Sequence, residues 1–201
     1  MDCPVFRCCS LKAVAKIILS SGSPRRRELL RVAGIPLRIV KSRIEEEGGF
    51  PRVRGPASWA RGLAYRKASG VARCNPSDTV LGADTIVVVR GKVLGKPKNE
   101  SDARKMLDLL SGKWHQVITG VAIVKGSRVL SGTEKTRVKF RRMTRKEIKD
   151  YVASGEPMDK AGGYAVQGGA RVFVERIIGD YTNVVGLPLN LVVTLLARLK
   201  L

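Results

Sequence analysis

Residues 17–30 have the sequence IILSSGSPRRRELL and are more informative about the fold than any other stretch. Three apolar residues predict a short buried strand, and a Ser/Gly turn follows it. Ser23 and Pro24 then predict the start of a helix, because serine is a good N-cap and proline fits the first helical position. Gly34 predicts the end of that helix. The stretch therefore indicates a strand that leads through a tight turn into a helix.

The first turn of this predicted helix is basic. It carries Arg25, Arg26 and Arg27, where the helix macrodipole favours acidic residues. The free backbone N–H groups of the same turn point beyond the strand. Cations at this position are unfavourable unless an anion neutralises them, and phosphate is the natural candidate. We therefore expect a phosphate-binding site here, with a solvated basic helix start as the alternative.

The composition restricts the class of protein. The chain has 201 residues, of which 44% are hydrophobic, enough for the core of one domain or of one domain with two lobes. No apolar run approaches the roughly 18 residues of a membrane span, so we expect no membrane association. The formal net charge of +21 favours polyanionic partners. Nucleic-acid binding is only weakly supported, because the basic residues are scattered and aromatic residues make up 5% of the chain.

Cysteine usage and the N-terminus favour a cytoplasmic location. The four cysteines are at positions 3, 8, 9 and 74, which is not the pattern of a disulfide framework. Residues 1–15 lack the continuous apolar segment of a secretory signal. They are predicted to be an extension of unknown role before a single domain over residues 16–201.

Strand and helix patterns alternate along the chain. Strands are predicted at 16–20, 79–89, 115–124, 129–140 and 171–178, and helices at 24–33, 57–73, 101–111, 145–154 and 188–200. Two hairpins are predicted, one turning at Arg90-Gly91 and the other at Gly126-Ser127. Hairpins within an alternating pattern indicate an α/β protein with a mixed sheet.

Two charged residues interrupt apolar patterns. Asp84 lies inside the strand pattern 79–89, where a carboxylate is costly to bury unless it is paired, hydrogen-bonded or metal-bound. The alternative is a structural role at a strand kink beside Gly82. Lys67 lies in the apolar stripe of the helix predicted at 57–73. A lysine at such a position usually extends to solvent, although one directed inward beside an anion would fit equally well.

Two further features bear on metal binding and catalysis. Glu45, Glu46 and Glu47 form the only acidic cluster, which is either solvated or part of a Mg²⁺ site together with Asp84. His115 is the single histidine and is expected to be structural or to neighbour the substrate. The sequence has neither a nucleophile-elbow pattern nor a Walker pattern, which excludes a P-loop NTPase.

Six segments, in order, resemble the Maf family of nucleoside triphosphate pyrophosphatases. They are SGSPRRRELL at 21–30, GADT at 82–85, GKP at 95–97, LSGKWHQVITG at 110–120, SGEPMDKAGGYAVQG at 154–168 and GDYTNVVGLPL at 179–189. The resemblance implies a fold like that of inosine triphosphate pyrophosphatases, with an elongated mixed sheet flanked by helices and two lobes around a central cleft.

The resemblance also implies a reaction and its residues. The reaction is hydrolysis of a nucleoside triphosphate to the monophosphate and pyrophosphate with a divalent metal, Mg²⁺ or Mn²⁺. Asp84 matches the base that activates water, and Glu46 matches an acidic residue that helps to hold metal or water. Lys67 and Lys96 match lysines that face the triphosphate. The matching substrate-binding residues are Ser21, Arg25, Arg26, Thr85 and Gln167.

The resemblance extends to base preference and partners. Arg25, Thr85 and Gln167 look like the set of the subgroup that acts on dTTP and UTP, and the glutamine amide can pair with the O4 and N3–H edge of a pyrimidine. The alternatives are a pyrophosphatase for modified purine nucleotides such as 7-methyl-GTP, or a non-catalytic nucleic-acid-binding or cell-division regulator. A homodimer is common in families of this kind.

Overall fold

The computed structural model describes residues 16–44 and 55–199, and a seven-stranded sheet forms its centre. The strands are β1 (Ile17–Leu19), β2 (Leu37–Ile39), β3 (Val80–Val89), β4 (Lys92–Leu94), β5 (Trp114–Lys125), β6 (Arg128–Phe140) and β7 (Val174–Ile178). The α-helices are α1 (Pro24–Val32), α2 (Gly55–Ala72), α3 (Glu100–Leu110), α4 (Arg145–Ala153), α5 (Tyr181–Val185) and α6 (Leu189–Arg198).

The sheet is mixed. Its strand order is β2-β1-β3-β5-β6-β7, and β4 pairs with β3 outside this path. The β1–β2 and β1–β3 pairs are parallel, whereas β3, β4, β5, β6 and β7 pair antiparallel. Both predicted hairpins are present, as β3–β4 and β5–β6. This sheet and its flanking helices confirm the predicted α/β fold class.

One edge of β3 is shared by two short strands that leave a gap between them. β1 pairs with the start of β3, where Leu19 lies opposite Leu81. β4 pairs with its end, where Leu94 lies opposite Val87. Residues 82–86 lie between these two pairings, and β5 covers the opposite edge of β3 throughout. At residues 82–86 this edge of β3 therefore lacks a neighbouring strand, although β3 lies in the middle of the sheet.

α2 packs unusually close to the sheet at two glycines. A Cβ on Gly82 would lie 2.3 Å from the Ala64 carbonyl oxygen, and a Cβ on Gly120 would lie 2.3 Å from the Ala60 carbonyl oxygen. Neither position can hold a side chain unless the helix moves. The glycines therefore set the height of α2 above β3 and β5, which brings the side chains of α2 within reach of Asp84.

The opposite face of the sheet is divided between two clusters of buried apolar side chains. The first includes Leu81 and Ala83 and packs against α1 and α6. The second includes Val87 and packs against α3 and α4. Thr85 is the residue of β3 that lies between them, so a polar side chain occupies the boundary of the two clusters.

Apart from β2, which the list of predicted strands lacks, the predicted elements agree with the structure except in the last third of the chain. The predicted strand 171–178 is wrong in its first half, because Gly169–Phe173 form a 3₁₀ helix that buries Ala170 and Phe173. The helix predicted at 188–200 corresponds to α6, but the prediction missed α5, whose five residues are too few to show a period. Ser23 occupies the predicted N-cap without a side-chain cap bond.

Some predictions concern parts of the chain outside the described residues or stay untested by the fold. Residues 1–15 and the cluster Glu45, Glu46 and Glu47 lie outside the described residues. The single two-lobed domain over 16–201 stays a prediction. Among the helices that the structure describes, none combines the length and apolar character needed to cross a membrane.

Candidate active site

A cleft of about 600 Å³ opens at the gap on the edge of β3. Its walls come from the loop before α1, from α2, from β3, from the turn after β4 and from residues 159–167. Eight of the predicted site residues line it: Ser21, Arg25, Arg26, Lys67, Asp84, Thr85, Lys96 and Gln167. Glu46, the ninth, lies outside the described residues. Segments far apart in sequence thus meet at one place, although their roles there stay predictions.

The base of the cleft holds a buried ion pair. The Lys67 Nζ atom lies 2.5 Å from Oδ1 of Asp84, and the two residues are 8% and 5% exposed. The ion pair accounts for the burial of both charges, and Lys67 does not extend to solvent. The Ser20 hydroxyl donates a hydrogen bond to the Lys67 carbonyl at 2.7 Å and ties α2 to the end of β1. Each charge compensates the other, which a buried charge requires.

Arg26 approaches the same strand from the other side. Its Nη1 donates to the Ala83 carbonyl at 2.8 Å and to the Ser21 hydroxyl at 3.2 Å, and its Nε donates to the Gly186 carbonyl at 2.9 Å. Its Nη2 donates to the Thr85 hydroxyl at 3.0 Å. The guanidinium thus connects the loop before α1, the middle of β3 and the loop before α6.

The Thr85 hydroxyl is enclosed by protein groups. Besides accepting from Arg26, it lies 3.0 Å from the Thr119 hydroxyl on β5 and donates to the Gly186 carbonyl at 3.3 Å. A hydroxyl has one donor and two acceptor positions, and these three contacts use them. Thr85 therefore contributes to the shape of the cleft rather than offering an unused hydrogen-bonding group.

A second ion pair, between Asp159 and Lys160, lies in the wall opposite α1. Lys160 Nζ donates to the Glu156 carbonyl at 2.6 Å and also to the Asp159 carboxylate. Burial raises the pKa of Asp159, but the hydrogen bond and charge of Lys160 together with the charge of Arg25 outweigh it, so this pKa lies below its usual value. Arg25 and the Asp159–Lys160 pair therefore act on each other across the cleft.

Positive charge dominates the cleft. Its described lining includes six cationic side chains, from Arg25, Arg26, Lys41, Lys67, Lys96 and Lys160. The described carboxylates there are those of Asp84 and Asp159. A concave site with such an excess of cations attracts a multiply charged anion. The fold and this site define a class: an α/β protein with a cationic cleft at a sheet edge.

Five charged or aromatic residues of the cleft were not predicted from the sequence, namely Lys41, Trp59, Asp159, Lys160 and Tyr164. Asp159, Lys160 and Tyr164 belong to the segment 154–168 that carries part of the family resemblance, and that was their available signal. Lys41 and Trp59 had none, because each belongs to a pattern typical of an exposed loop or a helix face. Their place in the site comes from the tertiary structure.

His115 is part of the core rather than of the cleft lining. Its Nε2 lies 2.8 Å from the Tyr164 hydroxyl, and its ring packs edge-on against Phe140 with centroids 4.9 Å apart. Burial lowers the pKa of His115 to about 4. The imidazole is therefore neutral at physiological pH, as a structural histidine should be.

Residues 16–199 match the family model described as Maf-like protein, and the chain belongs to this family. A dTTP/UTP pyrophosphatase of Bacillus cereus strain AH820 is 51% identical over 175 residues, which cover 87% of this chain and 91% of that protein. A dTTP/UTP pyrophosphatase of Bacillus anthracis has the same identity and coverage. A solved HAM1 protein from Coxiella burnetii is 16% identical and covers 91% of this chain and 98% of its own, with a TM-score of 0.48, too low to support an argument.

The donor set at the base of the cleft fits a metal ion that is shared with a substrate. Within residues 16–44 and 55–199, no three His, Cys, Asp or Glu side chains form a group that could hold an ion by themselves. Asp84 supplies one carboxylate beside the cationic wall. Mg²⁺ commonly binds through one or two carboxylates together with the phosphates of a substrate. Asp84 meets the protein part of that requirement.

Proposed function

We propose that this chain hydrolyses nucleoside triphosphates, dTTP and UTP foremost, to the nucleoside monophosphate and pyrophosphate. The observation that carries the proposal is the Asp84–Lys67 pair at the base of a cationic cleft. Family membership and 51% identity to proteins named dTTP/UTP pyrophosphatase support it. The cationic side chains of the cleft can neutralise the negative charge of a triphosphate, and the Asp84 carboxylate can accept a proton.

In the proposed reaction, a water oxygen attacks the α-phosphorus. The bond from that phosphorus to the oxygen bridging to the β-phosphate breaks, and pyrophosphate leaves with the electron pair of the bond. Asp84 accepts the proton of the attacking water as general base. Lys67 holds the carboxylate in place, because its Nζ is only 2.5 Å from Oδ1. Positioned charge of this kind accounts for most of the rate gain in phosphoryl transfer.

The cations of the walls have a separate task. Lys96 from the turn after β4 and Arg25 from the first turn of α1 face the same cleft as Asp84. We assign them to the phosphate oxygens, whose negative charge they neutralise. A bound divalent cation would add charge neutralisation at these oxygens. Asp84 would hold it, and Glu46 stays a predicted second ligand.

The preference for pyrimidine bases is assigned to the rim of the cleft. Gln167 lines the cleft with an exposed side chain, and its amide offers one acceptor and two donor hydrogens. This set can pair with the O4 and N3–H edge of uracil or thymine. We propose that Arg25, in addition to its role at the phosphates, and Thr85, through the shape that it gives the cleft, complete the specificity set.

The test is a panel of canonical and modified nucleoside triphosphates with Mg²⁺ or Mn²⁺, in which pyrophosphate and orthophosphate are measured separately. Pyrophosphate from dTTP and UTP supports the proposal. Release chiefly from 7-methyl-GTP or another purine would overturn the base preference but keep the reaction. No release from any triphosphate would overturn the activity and favour a binding protein, whose nucleic-acid affinity should fall steeply with salt.

A pair of variants tests the role of Asp84. Asp84→Asn keeps the size of the side chain but removes the base, and we expect kcat to fall by about 10² to 10⁴. Asp108→Asn makes the same chemical change on the exposed face of α3, outside the cleft lining. Its kcat should match the wild type. Near-normal turnover of a folded Asp84→Asn protein would exclude Asp84 as the base.

Location and assembly complete the proposal. A cytoplasmic location is proposed from the positions of the four cysteines, which do not form the pattern of a disulfide framework. A homodimer is proposed from the family resemblance, and light scattering on the purified protein would test it.

A further inference from the structure

We propose that Arg26 is a positioning residue whose guanidinium replaces the missing neighbour strand on the open edge of β3, and so fixes the backbone beside Asp84. The inference rests on the proposed function for the reaction in which Asp84 acts. It changes the role expected of Arg26 from the sequence, which was direct binding of substrate.

The edge of β3 shows where a neighbour strand is missing. The backbone N–H of Ile18 donates to the Thr79 carbonyl at 2.8 Å, and that of Ser20 donates to the Leu81 carbonyl at 2.8 Å. Carbonyls two residues apart in a strand point to the same side, so the next acceptor on this edge is that of Ala83. β1 ends at Leu19, however, and the chain turns away into α1.

Arg26 supplies the donor that the turning chain does not. Its Nη1 lies 2.8 Å from the Ala83 carbonyl oxygen, the same distance as the two ladder bonds before it. A strand carbonyl in the interior of a fold requires a hydrogen-bond partner. The guanidinium therefore continues the β1–β3 ladder by one step, from a helix instead of a strand.

The remaining contacts of Arg26 orient the guanidinium. Nη1 also reaches the Ser21 hydroxyl, Nε reaches the Gly186 carbonyl, and Nη2 reaches the Thr85 hydroxyl. Arginine has five N–H donors in a rigid planar fork, and these contacts together with Ala83 engage at least four of them. The acceptors of these four bonds are neutral oxygens of the protein. This arrangement depends on the shape of the guanidinium and not only on its charge.

The hydrogen bonds of Arg26 lie on both sides of Asp84, the proposed base. Ala83 and Thr85, which Arg26 holds, are the two chain neighbours of Asp84. On the other face of the sheet, Lys67 holds the Asp84 carboxylate itself. Arg26 and Lys67 thus fix one short stretch of β3 from two sides. A displacement of about 1 Å at a catalytic group can cost about 100-fold in rate.

Kinetic measurements on lysine variants separate positioning from phosphate binding. Arg26→Lys keeps the charge but cannot bond four separated acceptors. We expect its kcat for UTP to fall by about 100-fold while KM changes by less than about threefold. Arg25→Lys is the matched control, one residue earlier in the same helical turn, and there we expect the larger effect on KM. If Arg26→Lys keeps its kcat and raises KM, Arg26 binds substrate and the proposal is wrong.

Hydrogen exchange gives a readout that does not depend on activity. We expect the peptide that contains residues 82–86 to exchange at least about tenfold faster in Arg26→Lys than in the wild type, because the local opening of β3 becomes easier. The same peptide should be unchanged in Arg25→Lys. Unchanged exchange in Arg26→Lys would overturn the proposal. If the wild type hydrolyses no triphosphate, the proposed function fails while this measurement still tests Arg26.

A chemical rescue protects the test against a variant that folds poorly. Arg26→Ala, checked for folding by circular dichroism, should regain part of its kcat and of its slow exchange at 82–86 when methylguanidinium is added. Methylammonium, with the same charge but no planar fork, should restore neither. Equal rescue by both cations would mean that charge alone is needed, and it would overturn the proposal.

Discussion

Lys67 Nζ and Asp84 Oδ1 are 2.5 Å apart, at the point where α2 crosses the middle of β3. The contact depends on Gly82 and Gly120, since a Cβ at either position would push the helix away from the sheet. Close backbone packing therefore permits the ion pair. Gly82, two residues before Asp84, thus permits the approach of α2 that places Lys67 beside the Asp84 carboxylate.

The first prediction concerns the cost of separating the pair. Lys67→Met leaves the Asp84 carboxylate buried without its ammonium partner, and we expect the free energy of unfolding to fall by about 3 kcal/mol. The double variant Lys67→Met/Asp84→Leu should recover most of this loss while remaining inactive. Urea denaturation followed by circular dichroism measures both.

The exposed pair of Lys146 and Asp150 on α4 provides the control. Lys146→Met removes the same kind of charge from a pair with side-chain exposures of 84% and 58%, and its free energy of unfolding should change far less than that of Lys67→Met. If Lys67→Met and Lys146→Met lower the free energy of unfolding equally, burial does not make the Lys67–Asp84 pair more important for stability than an exposed pair.

The second prediction concerns the distance between α2 and the sheet. The Cβ added by Gly120→Ala would lie 2.3 Å from backbone atoms of Ala60, so the helix must shift, and we expect a loss of stability of about 2 kcal/mol together with a loss of activity. Gly62→Ala, with nothing within 4 Å of its added Cβ, should instead stabilise the helix by about 0.5–1 kcal/mol. Thermal unfolding and kcat distinguish the two, and the same sign of effect at both positions would contradict the packing argument.

The third prediction is a pH dependence of stability from His115. Burial lowers its pKa from the ordinary value of 6.5 to about 4, so between these pH values the unfolded chain binds a proton that the folded protein does not. The contribution to stability is therefore complete above pH 6.5 and is lost as the pH falls towards 4. The shift corresponds to about 3 kcal/mol at most.

Replacing the imidazole tests this assignment. His115→Gln has no titrating ring, so its free energy of unfolding should decline less than that of the wild type between pH 7 and pH 4.5. The carboxylates of the two proteins are identical, and the difference between their pH profiles therefore isolates His115. Parallel profiles would show that another group causes the acid sensitivity.

The sequence alone predicts much of this fold and of the cleft. Asp84 interrupts an apolar strand and Lys67 interrupts an apolar helix face, and each anomaly has the other as its explanation. The hairpin turns were predictable because Gly91 and Gly126 have positive φ angles that favour glycine. The capping box of Thr144 and Glu147 was predictable because it is a local pattern.

Other features depend on contacts that no local pattern contains. The acceptors of Arg26 include the carbonyls of Ala83 and Gly186, 57 and 160 residues away, and backbone carbonyls are the same in every sequence. The basic start of α1 therefore predicted an anion-binding site. The Arg26 guanidinium instead donates most of its hydrogen bonds to oxygens of the protein. The short helix α5 was not predicted because it has only five residues, between its N-cap Asp180 and its C-cap Gly186. Five residues are too few to show a helical period.

The fourth prediction concerns Lys96, which connects the end of the β3–β4 hairpin to the cleft. Both Lys96 and Lys98 are exposed lysines after β4, but only Lys96 is among the described residues that line the cleft. If Lys96 neutralises a phosphate oxygen, Lys96→Gln should lower kcat/KM for UTP by at least about tenfold, or about 1.4 kcal/mol. Lys98→Gln removes the same charge two residues later and should change kcat/KM by less than about twofold. Raising the ionic strength should narrow the difference between wild type and Lys96→Gln, because salt screens an attraction between exposed charges. Equal losses in the two variants would attribute the effect to the overall charge of the protein and remove Lys96 from the site.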